Sequence, residues 1–291
     1  MIALEVLLGA ATLGGLYALI AMGLTLQFGV ARILNLAHGE FLIGSAFLSF
    51  VLVTGAGWSP LWALLLSVPL GLAVQVLVYR FLLTPLAKRA PTQEALEMDS
   101  VLVTFGLLFV VQGIALVLFG GGYQSYSYLS TPVDVFGATV AANRLLACIF
   151  ALALCAVFYL AIERTRWGST LRAVSVAPRF APLVGINTRQ TAMLAFGIGG
   201  AMVAASGVLI GMFLPFSATM GIAFTLKALV IVIMGGVGNL LGCVLAGMLL
   251  GLTETLVARF VDPGLTLAST FALFLMVLLI SPSGIFSKAA R

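Results

Sequence analysis

The strongest constraint on this chain is how rarely a charged side chain interrupts it. Seven stretches without Asp, Glu, Lys or Arg cover residues 6–31, 41–79, 100–133, 145–162, 190–226, 228–253 and 263–287. Only 8% of all residues are charged and 62% are hydrophobic, whereas roughly 25% are charged in an ordinary soluble domain. Because a soluble globule cannot bury that much apolar surface, the chain must lie in a membrane.

The lengths of these stretches predict the membrane crossings. A helix needs about 20 residues to cross the hydrocarbon core, so residues 41–79 hold two spans divided by Thr54-Gly-Ala-Gly-Trp-Ser-Pro60. The predicted fold class is an all-α polytopic membrane protein with eight or more transmembrane helices. We expect spans near residues 5–30, 33–53, 60–80, 100–119, 144–162, 191–213, 226–256 and 266–281.

Loop charge predicts the orientation. Residues 163–190 contain five arginines and one glutamate, and basic loops stay on the cytoplasmic side. This loop is longer than the connection of two spans requires. Apolar residues at positions 180, 183 and 184 would share one side of a short helix, which favours docking into a groove of another protein. The alternative is a loop that only sets the topology.

The C-terminal end conflicts with a simple count of spans. Eight straight spans would place Lys288 and Arg291 outside, against the positive-inside rule. Residues 226–256 exceed one straight crossing, and each glycine in a helix costs about 1 kcal/mol relative to alanine. We therefore expect a broken or re-entrant helix near residues 235–242, which would return the C-terminus to the cytoplasm. The glycines of this break are Gly235, Gly236, Gly238 and Gly242.

Sequence motifs argue against an enzyme. The chain has no Gly-x-x-x-x-Gly-Lys-Ser/Thr phosphate-binding loop, so we do not expect it to bind ATP in that way. Its single histidine, His38, and its three cysteines lack the spacing of zinc ligands. We expect no catalytic residue, no metal and no cofactor in this chain.

One polar cluster stands out near the start of the second span. Residues 41–53 are too few to cross the membrane, so that span must begin upstream and carry Asn35, His38 and Glu40 inward. Polar residues at such depth usually face a bundle interior or a water path. Asn35 and His38 would share one helix face, and Glu40 would point elsewhere. The functional interpretation is the lining of a translocation path. The alternative is a structural cluster that caps the helix and pairs with Arg32.

Two further patterns have simpler interpretations. Lys227 and Glu254 flank the glycine-rich stretch, and we expect them to be interfacial anchors. Small residues recur at four-residue spacing, which lets helix backbones approach closely. These sets are Ala10/Gly14/Ala18, Gly197/Ala201/Ala205, Gly207/Gly211 and Gly247/Gly251.

Five motifs together resemble, over nearly the full length, the permease subunits of branched-chain amino-acid ABC importers. The first and fourth are the more specific, and their order along the chain is that of the family. They are Asn35-Leu-Ala-His-Gly-Glu-Phe41, Thr104-Phe-Gly-Leu107 with Gln112, Arg172-Ala173 ahead of Gly185-Ile-Asn187, Gly235-Gly-Val-Gly238 with Gly242, and Pro282-Ser-Gly284.

The resemblance implies partners and a location. An importer would also contain a second permease subunit (a homologue or a second copy of this chain), two cytosolic ATPases that bind the ATP, and a periplasmic solute-binding protein. Residues 1–291 would form a single transmembrane permease domain in the bacterial cytoplasmic (inner) membrane. The binding protein would supply most of the solute specificity.

The resemblance further implies that residues 163–190 hold the segment that couples to an ATPase. Pro178 and Pro182 depart from the family pattern there, and a proline inside a helix distorts it. Asn239 and Leu241 depart from the usual glycine block, which weakens the assignment of leucine as the particular solute. The predicted coupling residues are Arg172, Ala173, Ala181, Leu183, Gly185, Ile186 and Asn187.

Other transport functions stay open on the sequence alone. A permease for urea or short amides would share these motifs, and a sugar permease of the related superfamily fits the His38-Gly-Glu40 block less well. An ATPase-independent secondary transporter would carry intramembrane charges and inverted repeats. Ala18-Leu-Ile-Ala-Met-Gly23 and Val230-Ile-Val-Ile-Met-Gly235 hint at such a repeat. A channel is disfavoured because no filter segment is visible.

Overall fold

The computed structural model describes residues 2–135, 138–178, 180–281 and 284–286. Eight of the helical segments described are long and apolar enough to cross a membrane, which confirms the predicted fold class. Short 3-10 turns cover Ala181–Val184 and Pro263–Leu265. The helices are α1 Ile2–Ala31, α2 His38–Ala56, α3 Pro60–Val78, α4 Thr84–Arg89, α5 Gln93–Phe119, α6 Ala142–Arg164, α7 Arg166–Val176, α8 Thr188–Gly211, α9 Gly221–Gly235, α10 Leu240–Phe260 and α11 Thr266–Ile280.

Local signals fix several helix ends. Ser59 accepts a hydrogen bond from Leu61 N at the start of α3, with Pro60 in the first turn. Thr92 caps α5 in the same manner. A π-helical turn over Tyr79–Leu83 joins α3 to α4, so the two form one continuous apolar segment, Pro60–Arg89.

A short hairpin lies between α5 and α6 at the opposite end of the bundle from α7. Its strands are β1 (Pro132–Val135) and β2 (Ala138–Ala141), which pair antiparallel. The preceding loop is attached to α2, since the Tyr126 hydroxyl lies 2.9 Å from Ser49 Oγ. Burial raises the pKa of Tyr126 to about 12, so its phenol is neutral and available for this hydrogen bond near pH 7.

Helices α1 and α8 cross at the centre of the bundle. A Cβ atom at Gly23 would lie 2.9 Å from Gly199 O, and one at Gly199 would lie 2.7 Å from Gly23 O. Gln27 donates to Phe196 O at 3.4 Å, so the two helices run antiparallel. Each glycine thus faces the carbonyl oxygen of the other. Such a reciprocal contact is expected where a pseudo-two-fold axis relates two halves of a chain.

The neighbours of these two helices repeat the relation. Helix α1 packs on α10, and α8 packs on α3. A Cβ at Gly251 would meet Gly14 Cα at 2.6 Å, and one at Gly71 would meet Gly200 O at 2.6 Å. Gly14 and Gly251, which were predicted to allow close packing, therefore do so, whereas Gly71 and Gly200 were not among the predicted sets. Helices α1–α3 and α8–α10 form two halves of inverted topology, in which α1 corresponds to α8. The short similarity between Ala18–Gly23 and Val230–Gly235 would have matched α1 with α9 instead.

Helices α2 and α9 both begin inside the bundle. His38 Nε2 lies 3.1 Å from Ile20 O, and the stretch from Ile20 to the end of α1 rises about 16 Å at 1.5 Å per residue. The connection over residues 32–37 is not helical. Asn35 therefore lies outside α2, and the prediction that it shares a helix face with His38 is wrong.

Helix α9 is a half-length helix. Its 15 residues rise about 22 Å, less than the roughly 30 Å of a bilayer core. It begins beside α2, where a Cβ at Gly39 would lie 2.9 Å from Gly221 C. The first turns of two discontinuous helices thus meet within the bundle, an arrangement that many transporters share.

The predicted break near residues 235–242 is confirmed. Helix α9 ends at Gly235 and α10 begins at Leu240, while Gly236 and Gly238 adopt φ values of +86° and +84°, which favour glycine. Asn239 accepts from Gly242 N at 3.1 Å to cap α10.

The C-terminal end returns to this break. Ile285 N donates to Met234 O at 2.9 Å, and Asn239 Nδ2 donates to Phe286 O at 2.7 Å. A cavity lined by both Asn239 and Arg172 places the break beside α7. The chain therefore returns to the end of the bundle that carries the basic loop, as the charge rule required. Pro282, Ser283 and residues 287–291, including Lys288 and Arg291, lie outside the described residues.

Candidate functional site

Threonines of two helices support the non-helical connection between α1 and α2. Thr104 Oγ1 on α5 lies 3.0 Å from Leu34 O and accepts from Leu36 N at 3.2 Å. Thr225 Oγ1 on α9 accepts from Gly39 N at 2.8 Å and lies 3.2 Å from Leu36 O. Because backbone groups inside a membrane need partners within the protein, these hydroxyls permit α2 to begin at such depth.

Asn35 and two glutamines complete this support. Asn35 Oδ1 accepts from Ala37 N at 3.2 Å, and Asn35 Nδ2 donates to Gln27 Oε1 at 3.2 Å. Gln75 Oε1 on α3 is 3.5 Å from the same amide nitrogen. The three side chains are fully buried. They join α1, α3 and the connection in one polar layer.

His38 faces α1 and is completely buried. Its Nε2 contacts Ile20 O, and its Nδ1 has no hydrogen-bond partner among the described residues. The sequence places Asn35 and His38 in the bundle interior, and the structure agrees. That either lines a translocation path stays a prediction.

Glu40 has surroundings unlike those of its neighbours. The residue is 1% exposed, and no ion pair within the described part of the chain includes it. Its Oε1 atom lacks a hydrogen-bond partner there. Arg32 instead lines a cavity with Gly236 and Asn239. The alternative in which Arg32 pairs with this polar cluster is therefore wrong.

The Glu40 side chain borders a cavity of about 310 Å³ between α2, α3, α5 and α8. Ser67 on α3 lines the same cavity, and its Oγ is also buried without a partner among the described residues. The remaining wall is mostly apolar or glycine, and includes Phe41, Leu70, Val74, Val111, Gly71 and Gly200. We call this space the Glu40 cavity.

A second charged group lies on the other side of the bundle. Lys227 Nζ pairs with Glu254 Oε1 at 2.8 Å. Tyr17 donates to Glu254 Oε2 at 2.7 Å, and Thr270 donates to Oε1 at 2.6 Å. Glu254 is 3% exposed. The expectation that Lys227 and Glu254 are interfacial anchors is wrong, because they form an ion pair within the bundle, with Glu254 buried and Lys227 mostly buried, that joins α9, α10, α1 and α11.

The predicted coupling residues lie at the end of the bundle near the glycine break. Arg172 Nη1 contacts Glu163 Oε2 at 2.6 Å, and Arg172 remains exposed. Ala181 is buried, and Ala173 and Ile186 are half-buried. Leu183, Gly185 and Asn187 are exposed, and Asn187 Oδ1 accepts from Gln190 N to cap α8. Arg179 of this loop lies outside the described residues.

Large apolar side chains are exposed around these residues. Leu183 is 81% and Val184 74% exposed, and Trp167 and Phe180 are 66% and 67% exposed. Trp167 lies on α7, which the sequence did not single out. Exposed apolar groups among arginines are typical of a protein-binding surface.

Sequence interpretation missed the partners of the polar cluster. Gln27, Gln75, Ser67 and Thr225 each lie within an uncharged apolar stretch. An isolated polar residue in such a stretch is the available signal, since each must find a partner within the bundle. That signal does not identify the partner.

Comparison with known proteins decides the family. Residues 6–280 match the family described as "Branched-chain amino acid transport system / permease component". The chain belongs to this family. It is therefore a permease component, and we do not expect it to be an enzyme. Family membership and the eight apolar helices together identify it as a multi-pass protein of the inner membrane.

Curated relatives agree with this assignment. The high-affinity branched-chain amino acid transport system permease protein LivH of Escherichia coli (strain K12) is 27% identical over 98% of this chain and 96% of its own length. LivH of Salmonella typhimurium is 26% identical with the same coverage. The permease protein BraD of Pseudomonas aeruginosa is 27% identical, again over 98% and 96%. No solved structure matches.

Proposed function

We propose that this chain moves aliphatic amino acids through the membrane as one half of an ATP-driven importer. A second permease subunit, either a homologue or a second copy, would supply the other half. Two cytosolic ATPases would bind the ATP, and a periplasmic binding protein would deliver the solute. Family membership and the branched-chain amino acid relatives support this assignment.

The observation that carries the ATPase part is the exposed apolar surface around the 3-10 turn Ala181–Val184. Leu183 and Val184 are exposed next to α7, and a soluble partner with an apolar groove would cover them. We call this surface, formed by Trp167, Phe180, Leu183 and Val184, the coupling surface. It would receive the motion of the ATPases.

A physical connection leads from the coupling surface into the bundle. Ser175 and Val176 at the end of α7 line one cavity with Gly236 and Gly238 of the break. The pair Arg172–Glu163 lines a second cavity together with Thr25 of α1 and Asn239. A displacement of α7 would therefore reach both the end of α1 and the break between α9 and α10.

The path for the solute would pass the Glu40 cavity. Asn35 and His38 would hold the connection between α1 and α2 in place, and Glu40 would face the passing solute. Their contacts support this division: Asn35 has its hydrogen bonds within the protein and His38 Nε2 lies 3.1 Å from Ile20 O, whereas no hydrogen bond of Glu40 Oε1 is found among the described residues.

Co-purification from native membranes in mild detergent tests the importer. We expect two ATPases and a second permease subunit to accompany the tagged chain, and Gly185→Asp to release the ATPases. Gly185 is exposed at the coupling surface with φ +81°. Gly57→Asp is the matched control, because Gly57 is also exposed with φ +68° but ends α2.

An ATPase-independent secondary transporter is the rival of a different class. The inverted halves and the buried pair Lys227–Glu254 are features that such transporters share. A chain that purifies alone and moves L-leucine into liposomes without ATP would establish this rival and exclude the importer. If the chain took up urea or short amides and no amino acids, it would have a different class of solute from the one proposed.

A further inference from the structure

We propose that the Glu40 cavity binds the ammonium group of a small aliphatic solute, with the Glu40 carboxylate as its counter-charge. This inference rests on the proposed function only in placing the cavity on the solute path.

The first support is the buried carboxylate of Glu40, which has no counter-charge among the described residues. Buried polar groups in proteins nearly always have a hydrogen-bond partner, and leaving a buried charge unpaired is costly. Glu40 is 1% exposed, its Oε1 atom has no hydrogen-bond partner within the described residues, and no ion pair there includes it. The residue lines the cavity, so a cation bound there would supply the missing counter-charge.

The second support is the electrostatic environment of the carboxylate. Glu40 lies in the first turn of α2, and its carboxylate contacts Gly221, the first residue of α9. The positive ends of two helix dipoles therefore lie near this carboxylate and offset part of the cost of burying its charge. Since the protein's own carboxylate occupies these helix ends, a solute carboxylate would be repelled and a solute cation attracted.

The third support is that no competing cation lies among the described residues of the cavity lining. The residues that line the cavity include no lysine or arginine. Lys227, the basic residue nearest along α9, is held by Glu254 and Tyr17. The charge of Glu40 is thus left for a ligand.

The walls of the cavity favour a ligand with a compact aliphatic part. Phe41, Leu70, Val74 and Val111 contribute apolar surface to the cavity that Glu40 borders. A volume of about 310 Å³ is at the lower end for small-molecule sites, roughly 300–1,000 Å³, and admits a compact solute. Close contact between the backbones of Gly71 and Gly200 keeps the α3–α8 wall fixed.

A metal ion fits the site less well. Calcium takes about six to eight oxygen ligands, and magnesium needs near-octahedral geometry. The cavity lining contains a single carboxylate, and the described residues hold no cluster of three metal-ligating side chains. An organic ammonium needs few hydrogen bonds for its charge, and its hydrocarbon part can contact the apolar wall. It therefore fits a cavity that has one carboxylate and mostly apolar walls.

A cysteine reporter at the cavity tests the inference on the full-length chain in native membrane vesicles. Gly44 lines the cavity, and a Cβ there would have nothing within 4 Å, so Gly44→Cys should fold normally. The native cysteines are buried. A neutral methanethiosulfonate reagent labels the reporter, and 3-methylbutylamine or the neutral isovaleramide is added as a protecting probe.

We expect the amine to protect Gly44→Cys at about tenfold lower concentration than the amide, because hydrogen bonds to a charged group are the stronger ones. The preference should disappear in Glu40→Gln and persist in Glu40→Asp. Gly55→Cys is the matched control: Gly55 lies on the same helix, also with open space around it, but outside the cavity. Neither probe should protect it.

Three results would overturn the inference. The first is equal protection by amine and amide. The second is a preference for the amine that survives Glu40→Gln, in a variant that elutes and unfolds as the parent protein does. The third is protection by sodium chloride at the same concentration as the amine. Labelling needs no ATPase and no transport. Failure of the importer proposal would therefore leave an ammonium-specific protection intact, and failure of this inference would leave the co-purified complex intact.

Discussion

Glu40 and Glu254 are both buried acids within the helix bundle, 1% and 3% exposed, yet their surroundings are opposite. Glu254 contacts the ammonium of Lys227 and the hydroxyls of Tyr17 and Thr270. Glu40 has no ion pair in the described part of the chain. A buried acid with all its partners holds helices together, whereas one without partners is poised for a ligand. Partners, and not depth, distinguish the two.

The difference also separates the two related contacts between the inverted halves. Where α10 packs on α1, the ion pair ties α9 and α11 to the contact. Where α3 packs on α8, the corresponding side is open as the Glu40 cavity. We therefore expect the first side to be rigid and the second to be the one that serves the solute.

The largest effect is expected when one partner of the buried pair is removed. Glu254→Leu leaves the ammonium of Lys227 buried without a counter-charge, which should lower the free energy of unfolding by about 3–5 kcal/mol. Thermal or denaturant unfolding in detergent measures this loss. The double variant Lys227→Met with Glu254→Leu is the control and should unfold close to the parent, because two apolar side chains leave no unpaired charge. Equal losses in both variants would contradict the assigned pair.

Tyr17→Phe should have an intermediate effect on the same group. It removes the hydroxyl that donates to Glu254 and accepts from Lys227, and hydrogen bonds to charged groups contribute about 1.5–3 kcal/mol. Tyr159→Phe is the control, since no hydrogen bond of the Tyr159 hydroxyl is found among the described residues. Unfolding midpoints compare the two. A Tyr17→Phe protein as stable as the control would show that the pair does not depend on Tyr17.

Thr225→Val addresses the side of the bundle that holds Glu40. It leaves Gly39 N and Leu36 O without their side-chain partner, which should cost about 1–3 kcal/mol. Thr253→Val is the matched control, because Thr253 only contacts the carbonyl of its own preceding turn, Leu249 O. A loss in unfolding free energy confined to Thr225→Val would support the role of this hydroxyl, and equal losses would count against it.

The smallest effect on stability is expected for Glu40→Gln. The substitution keeps the shape of the side chain and removes a charge that has no ion-pair partner among the described residues, so unfolding should change by less than about 1 kcal/mol. Uptake of L-leucine by the assembled importer should nevertheless fall about tenfold if the cavity serves the solute. Strong destabilisation without loss of uptake per folded molecule would reverse the assignment of the two acids.

Much of the architecture could be predicted because its causes are local. The transfer of apolar segments from water sets the spans, and the glycines of the break weaken the helix wherever it lies. The start of α2 could not be placed in this way. Counting apolar residues puts the second span near residue 33, whereas the helix begins at His38, because hydroxyls of Thr104 and Thr225 satisfy the backbone before it.

The candidate site was predicted less completely. The residue types at positions 35, 38 and 40 revealed an intramembrane polar cluster, since such residues are costly in a membrane. Which of them has free hydrogen-bonding capacity depended on Gln27 and Gln75, which lie on other helices. The wrong expectation for Lys227 and Glu254 has the same origin, because a charged residue near a span end is commonly an anchor.

The sequence by itself determined the membrane class, the spans, the broken helix, the basic loop and, through its motifs, the family. Each depends on composition or on residues close together in the chain. Only the tertiary structure decided that Tyr17 meets Glu254, 237 residues away, and that Glu40 and Ser67 border one cavity. Such pairings depend on how glycine-lined helices pack, and local free energies along the chain do not specify which distant side chains that packing brings together.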